Sequence, residues 1–189
     1  MSGMIGYAFC GSFCTLTRSL AELRRLRDAG YELQPIMSEH VYSLDTRFWA
    51  AKAFRDKVTD ICRRDIIHTI IDAEPLGPKT PLDALIVAPC TGNTLAKVAA
   101  GITDSAVTMA VKAHLRCDRP TLIALASNDA LSQNLHNIAT VMVRKSVYFV
   151  PMKQDDPEKK PYSLIADFEL IPDALEAARR GRQLRPIFC

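Results

Sequence analysis

The hydrophobic pattern alternates between short, continuous apolar runs and longer stretches with helical spacing. Met4 to Cys10 (MIGYAFC) is a run of the first kind, ended by Gly11-Ser12. Leu16, Leu20, Leu23 and Leu26 then recur three or four residues apart, so the spacing predicts strand, tight turn and helix. Gly30 closes that helix. Tyr31 to Met37 (YELQPIM) reads as the next strand, and Pro35 within it predicts an edge position or a bulge, because proline has no N–H for a second neighbour. Between Ser38 and Pro81 the pattern loosens, with helices expected around 47–57 and 60–72. It then breaks into AEPLGPKTP, residues 73–81, with three prolines and one glycine in nine positions. Each proline restricts its own backbone and that of the preceding residue, which predicts a rigid turn.

Leu82 to Ala88 (LDALIVA) is nearly continuously apolar, as expected of a strand covered on both faces. A helix is expected from Thr94 to Ala100, and another, capped by Asp104 or Ser105, through His114. Thr121 to Ala126 (TLIALA) reads as a buried strand, Ser127-Asn128-Asp129 as a capping cluster, Ala130 to Val143 as a helix, and Val147 to Val150 as a fifth strand. Such alternation specifies a parallel sheet wrapped on both faces, because each crossover returns over the sheet with one hand. The expected fold class is α/β, a three-layer α/β/α sandwich around a doubly wound, Rossmann-like (flavodoxin-like) parallel sheet. Residues 1–150 are expected to form this domain. Residues 151–189, polar and Pro-containing up to a short helix from Asp173 to about Arg180, are expected to form an arm packing on the same domain or on a neighbouring subunit.

Composition narrows the partners. At 189 residues there is room for one well-buried core, and 48% hydrophobic with 24% charged residues excludes a disordered or collagen-like chain. The formal charge of +3 permits an anionic ligand, but the basic residues are dispersed without interleaved aromatics, so no nucleic acid is expected. The start, MSGMIGYAFCGSFC, has no basic segment leading into a long apolar run, and no window approaches the roughly 20 apolar residues of a membrane span. A cytoplasmic protein without membrane association is expected. Cysteines 10, 14, 62, 90, 117 and 189 show neither paired C-x-x-C spacing nor a set of histidine partners at metal-ligand spacing, and read mostly as reduced core thiols with no metal site.

In a parallel sheet all strand C-terminal ends share one edge. Three of those ends carry small polar clusters before an expected helix: GSFCT at 11–15, CTGNT at 90–94 and SND at 127–129. Ligands of open α/β sheets bind at this edge, where helix starts offer free N–H groups to anions. Phosphate is the expected tenant, although each cluster taken singly also reads as an ordinary helix cap. Gly6 and Gly11 do not make G-x-G-x-x-G and no G-K-[ST] follows, so a mononucleotide cofactor fits better than NAD or ATP. Catalytic groups are sparse. Histidines 40, 68, 114 and 136 are scattered, His68 lies in an apolar run as a core or interface residue, there is no G-x-S-x-G elbow, and Cys90 has no histidine partner. Glu74, Lys79, Asp45 and Arg47 stand in loop segments where a substrate could meet them. Arg47 has the planar fork that pairs with carboxylates, or it forms a surface ion pair. Redox chemistry here would need a bound cofactor.

GSFC at 11–14, LIVAPCTGNTLAKVAAGITDS at 85–105 and LASNDAL at 125–131 resemble the flavoprotein superfamily of cysteine decarboxylases and flavin prenyltransferases. Within it, DTRFW at 45–49, AEPLGPKTPLDALIVAPCTGN at 73–93, DSAVTMAVKAHLR at 104–116 and QDDPEKKPYSLIADF at 154–168 resemble the family of dipicolinate synthase B subunits, over nearly the whole chain. The resemblance implies flavin mononucleotide (FMN) at the strand-end edge. Gly11, Ser12 and Phe13 would contact it from the first turn, Ser38 after the second strand, and Cys90, Thr91, Gly92, Asn93 and Thr94 in the third turn. Asn128 stands in the place of the asparagine in the decarboxylases' Pro-Ala-Met-Asn motif.

That motif is replaced by Leu125-Ala126-Ser127-Asn128. The region of the decarboxylases' histidine reads Glu74-Pro75-Leu76-Gly77, and the prenyltransferases' arginine has Ala126 as its counterpart. These departures argue against decarboxylation and prenyl transfer and leave the general base unassigned, with Glu74, Arg47 and Lys79 as candidate catalytic or substrate-anchoring residues. The resemblance further implies oxidation of dihydrodipicolinate to dipicolinate in the mother cell of a sporulating bacterium, together with the synthase's A subunit, which would hold NADP. It also implies a small dicarboxylate substrate and a homo-oligomer, trimeric or dodecameric, that buries the Ala- and Val-rich helices at 94–116. The alternatives are a non-catalytic partner of that A subunit with a vestigial cleft, or a stand-alone decarboxylase or prenyltransferase.

Overall fold

The computed structural model of the chain describes residues 3–189. Among these, seven strands form one sheet: β1 (Met4–Phe9), β2 (Glu32–Met37), β3 (Ala84–Cys90), β4 (Thr121–Ser127), β5 (Val147–Phe149), β6 (Met152–Lys153) and β7 (Leu164–Ala166). The first five are parallel in the order β2-β1-β3-β4-β5, the doubly wound order of the α/β class. β5 pairs with the first half of β4, while β7 pairs antiparallel with Ala126 and Ser127 at its end and continues the sheet to β6.

Eight helices flank the sheet: α1 (Leu16–Asp28), α2 (Glu39–Ser43), α3 (Ala51–Cys62), α4 (Ile70–Ala73), α5 (Gly92–Ala100), α6 (Ala106–Leu115), α7 (Leu135–Met142) and α8 (Ile171–Arg179). The two-residue period of the pleat divides the core. Ile5, Tyr7 and Phe9 pack with Leu23, Phe54, Val58 and Leu175 of α1, α3 and α8. Ala8, Leu85, Val87, Ile123 and Leu125 pack with Leu95, Val107, Val111 and Ile138 of α5, α6 and α7. Burial on both faces is why the central strands are continuously apolar. The Tyr7 hydroxyl donates to the Ser19 carbonyl at 3.0 Å and the Ser19 hydroxyl to the Ala88 carbonyl at 2.6 Å, which ties α1 to both central strands.

Pro35 sits on the outer strand. The exposed side of β2 is partly satisfied by Ile67, whose N–H donates to Pro35 O at 3.0 Å and whose carbonyl accepts from Met37 N at 2.8 Å. This bridge corrects the expected helix at 60–72: one helix covers 51–62, Arg63 turns left-handed at φ 54° to end it, and Ile67 is held extended against the sheet. The expected start of the last crossover helix also moves. Residues 128–134 form turns held by the Asp129 carbonyl, and α7 begins at Leu135 instead of Ala130. Residues 73–81 form a compact turn in which the Lys79 and Thr80 amides both donate to Pro75 O. The C-terminal segment folds back on the same chain: β6 and β7 extend the sheet, and α8 buries Ala174, Leu175 and Ala178 on it. Helix α6 finds cover within the chain as well, from the sheet, α4 and α5.

His114 is fully buried in α6. Its Nε2–H donates to Pro120 O at 3.0 Å and its Nδ1 has no partner among the described residues, so the ring is neutral. Burial, outweighing the Pro120 bond, holds its pKa down to about 4. As pH falls, the unfolded chain protonates first, near 6.5, so stability present above about pH 6.5 is lost progressively down to about pH 4. The full loss is about 3 kcal/mol. Urea unfolding at pH 7 and pH 5 should show a shallower pH slope for His114→Gln than for the wild type, and equal slopes would contradict this role.

Candidate functional site

Four neighbouring strand ends converge on the sheet's C-terminal edge. Gly11 and Ser12 follow β1, Ser38 follows β2, Thr91 to Thr94 follow β3, and Ser127 to Asp129 end β4. Between them lies a cavity of about 620 Å³, walled on its outer side by the loop joining β6 to β7 through Asp155, Lys160 and Ser163. A second cavity of about 380 Å³ lies across the start of α5, between Phe13, Ser38, His40 and Lys97. Gly11, Thr91 and Asn93 line both, so the two are lobes of one cleft large enough for a mononucleotide.

The start of α5 presents free amides to the cleft edge. Thr91 caps it, its Oγ1 accepting from the Thr94 amide at 3.1 Å, which leaves the Gly92 and Asn93 amides without a protein acceptor among the described residues. In the first turn, a 3-10 turn at Phe13–Thr15, the Ser12 and Thr15 amides bond to Cys10 O and Ser12 O, while those of Phe13 and Cys14 are not so used. Ser38 provides the sharpest observation. Its N–H donates to Phe9 O and its carbonyl accepts from Tyr42 N, yet its hydroxyl is buried against the smaller lobe with no partner among the described residues. Such a group costs about 1–3 kcal/mol when it is left unpaired.

Gly92 is a point of close packing at the start of α5. A Cβ there would lie 2.4 Å from Ser127 Oγ, 2.5 Å from Asn134 Nδ2 and 2.9 Å from Asp129 Oδ1. Those three side chains form one network, with Asp129 accepting from the Ser127 hydroxyl and, at 2.9 Å, from Asn134. The SND cluster thus caps no helix; it buttresses the start of α5 with a carboxylate.

The expected site residues separate by position. Gly11, Ser12, Thr91, Gly92, Asn93 and Asn128 line the larger lobe, and Gly11, Phe13, Ser38, Thr91, Asn93 and Thr94 the smaller. Cys90 lines neither. Its side chain is buried in the core beside Cys10, where burial pushes its thiol well above the ordinary range, and the Cys10 thiol up to about 11. Cys14, by contrast, is exposed in the larger lobe. Arg47 is on the cleft edge of the sheet, in a loop pinned over α1 by a 3.0 Å bond from Trp49 Nε1 to Thr17, but it stacks on Phe48 and lines neither lobe. Asp45 is occupied at the start of α3, accepting from the Ala51 amide at 2.8 Å.

Glu74 and Lys79 are displaced further. Their turn packs Gly77 against the Ala113 carbonyl in the last turn of α6, which feeds the start of β4. That is the opposite edge of the sheet, so within one chain neither reaches the cleft. The residues missed by sequence reading are Asp155, Lys160 and Ser163. They belong to QDDPEKKPYS, whose polarity and prolines read as an arm; the short apolar runs on either side that pair as β6 and β7 were the available signal.

Comparison with known proteins fits this geometry. The family model described as Flavoprotein matches residues 3–169. The B subunit of dipicolinate synthase of Bacillus subtilis (strain 168) is 40% identical over 183 residues, 97% of this chain and 92% of that protein. The crystal structure of the dipicolinate synthase B subunit from Bacillus halodurans superposes with a TM-score of 0.91 at 39% identity, covering 99% of this chain and 96% of the other. A dodecameric FMN-dependent decarboxylase from Escherichia coli O157:H7, at 23% identity and a TM-score of 0.63 over 78% of this chain and 79% of its own, shares the fold. No helix among the described residues is long and apolar enough to cross a membrane. The chain belongs to the flavoprotein family, alongside the dipicolinate synthase B subunits.

Proposed function

We propose that this cleft binds FMN and that the chain acts, as the B subunit of a dipicolinate synthase, in oxidising a dihydrodipicolinate to dipicolinate together with an NADP-holding A subunit. The observation that carries the flavin reading is Ser38, a residue of the wall of the smaller lobe whose buried hydroxyl has no partner among the described residues. Ser38, Gly11, Phe13 and Thr94, with the amides of Gly92 and Asn93, would hold the phosphate; Ser12, Asn93 and Asn128 would face the rest of the cofactor from the larger lobe. Bound there, FMN supplies a two-electron acceptor, which is what aromatising a dihydropyridine requires. The donors are neutral groups and a helix start, because Lys97 in the smaller lobe is already paired with Asp104 at 2.8 Å. The role of the chain's own residues is to bind and orient the planar acid in the larger lobe and to wall it from water with the loop between β6 and β7.

A homo-oligomer, trimeric or dodecameric, is part of this reading. Ile102 is 48% exposed on an apolar groove with Val98, Val111 and Leu115, on the flank away from the cleft. The proposed setting is the cytoplasm of the mother cell during sporulation, which follows from the proposed product.

A second reading has its own observation. The Asp129 carboxylate already lies against the first residue of α5, in the region a helix start offers to an anion. On that reading the chain positions the A subunit without holding flavin. Reconstitution with the A subunit separates the two: FMN-free protein should form dipicolinate, followed by its ultraviolet absorbance, at less than about a tenth of the FMN-loaded rate, consistent with one lost tenfold factor per 1.4 kcal/mol. Equal rates with and without FMN would leave the partner-protein reading.

A further inference from the structure

Arg47 and Lys79 do not line the cleft, so the carboxylates of a substrate need a different cation. Among the residues lining the larger lobe, Lys160 is the one with a positive charge; Asn93, Ser127, Asn128 and Ser163 are neutral, and Asp129 and Asp155 are acidic. Its backbone is held by the strap that carries it, with the side chain 55% exposed. Lys160 N donates to Asp156 O at 2.7 Å, Ser163 N to Lys160 O at 3.0 Å, and Gln154 Nε2 to Pro161 O at 2.9 Å. Leu131 N donates to Tyr162 O at 2.9 Å and ties the strap to the chain following β4. The ammonium donates to Asp155 Oδ2 at 2.8 Å. An ammonium has three N–H donors, so two remain for a ligand. The bond to Asp155 also strengthens its hold on the proton, so the group stays cationic.

We propose that Lys160 is the specificity-determining cation of the larger lobe, held by Asp155 to bind one carboxylate of a planar pyridine dicarboxylate. The proposal rests on the reading of the cleft given above and identifies its substrate anchor. The two free N–H donors of the ammonium suit one carboxylate of the ligand. The second carboxylate of the ligand would have only neutral donors such as Asn93 and Asn128.

The test is a calorimetric titration of the full-length protein with pyridine-2,6-dicarboxylate and with pyridine-2-carboxylate, in the wild type, Lys160→Met and Lys160→Arg, each also titrated with FMN. The wild type should prefer the dicarboxylate. Lys160→Met should weaken both acids on the order of tenfold with FMN affinity unchanged, while Lys160→Arg keeps the wild-type affinities, as expected for loss of one charge-assisted hydrogen bond. A strap that merely needs the lysine for its fold would lose the acids in Lys160→Arg as well, or lose FMN with them in Lys160→Met, and either result overturns the anchor. So does an unchanged affinity for both acids in Lys160→Met, or a wild type that binds neither acid at millimolar concentration. FMN binding without the expected loss of acid affinity removes the anchor alone. The expected loss of acid affinity in a protein that binds no FMN upholds the anchor and removes the flavin.

Discussion

Alanine at position 77 is expected to destabilise the fold by roughly 3 kcal/mol without altering the cleft. Gly77 adopts φ +123°, where a side chain is strained, and its Cβ would fall 2.4 Å from the Ala113 carbonyl oxygen and 3.2 Å from Cys117 Sγ. The nearest obstacle is backbone in the last turn of α6, which has no rotamer to change. Because buried Leu76 packs in the core and the turn closes on itself through the Gly77 N–H to Thr80 O bond, relief would have to come from lifting the whole turn. Denaturant unfolding should show a lower midpoint at an unchanged slope, and FMN affinity should stay at the wild-type value because the turn lies at the opposite sheet edge. A loss below about 1 kcal/mol would show that the turn yields more easily than its packing implies.

Gly92→Ala should act at the cleft itself. Its Cβ would meet three short side chains, Ser127, Asn134 and Asp129, already bonded to one another. No one of them moves without breaking a hydrogen bond of a partly buried carboxylate. The expected cost is about 2 kcal/mol of stability, with FMN binding weakened on the order of tenfold as the start of α5 shifts. Pairing the change with Asn134→Ala removes one obstacle, so the double variant should be less destabilised than the sum of the singles. Strict additivity would contradict a contact between these positions.

These two glycines mark what was legible in the sequence. The five parallel strands follow from local signals: apolar runs too continuous for one-sided strands, leucine spacing in α1, and Pro35 at the outer strand. The first and third turns were also legible, since a helix cap after a buried strand reveals itself in Thr91-Gly92-Asn93-Thr94. What the pattern concealed depends on contacts distant in sequence. Ile67 is apolar and reads as helix until its bridge to Pro35 and Met37 is known. Ser127-Asn128-Asp129 has the residue types of a cap, but Asp129 spends its carboxylate on Ser127 and Asn134 beside Gly92, which no local pattern encodes. Glu74 and Lys79 read as candidates because proline-rich loops often face ligands. Whether such a loop lies at the C-terminal or the N-terminal edge depends on its position before or after a strand, and residues 73–81 precede β3. Lys160 stays hidden because a polar run with prolines looks the same whether it trails into solvent or straps a cleft.

The flavin reading turns on the Ser38 hydroxyl, buried without a partner among the described residues. The measurement that tests it most directly is a titration with FMN, followed by flavin fluorescence, of the wild type and Ser38→Ala, together with the unfolding midpoint of each protein without flavin. The expected result is saturable binding by the wild type, binding about tenfold weaker in Ser38→Ala, and flavin-free Ser38→Ala at least as stable as the wild type, since it loses an unpartnered buried hydroxyl. No saturable binding at high micromolar FMN, or equal affinity in the two proteins, would contradict it.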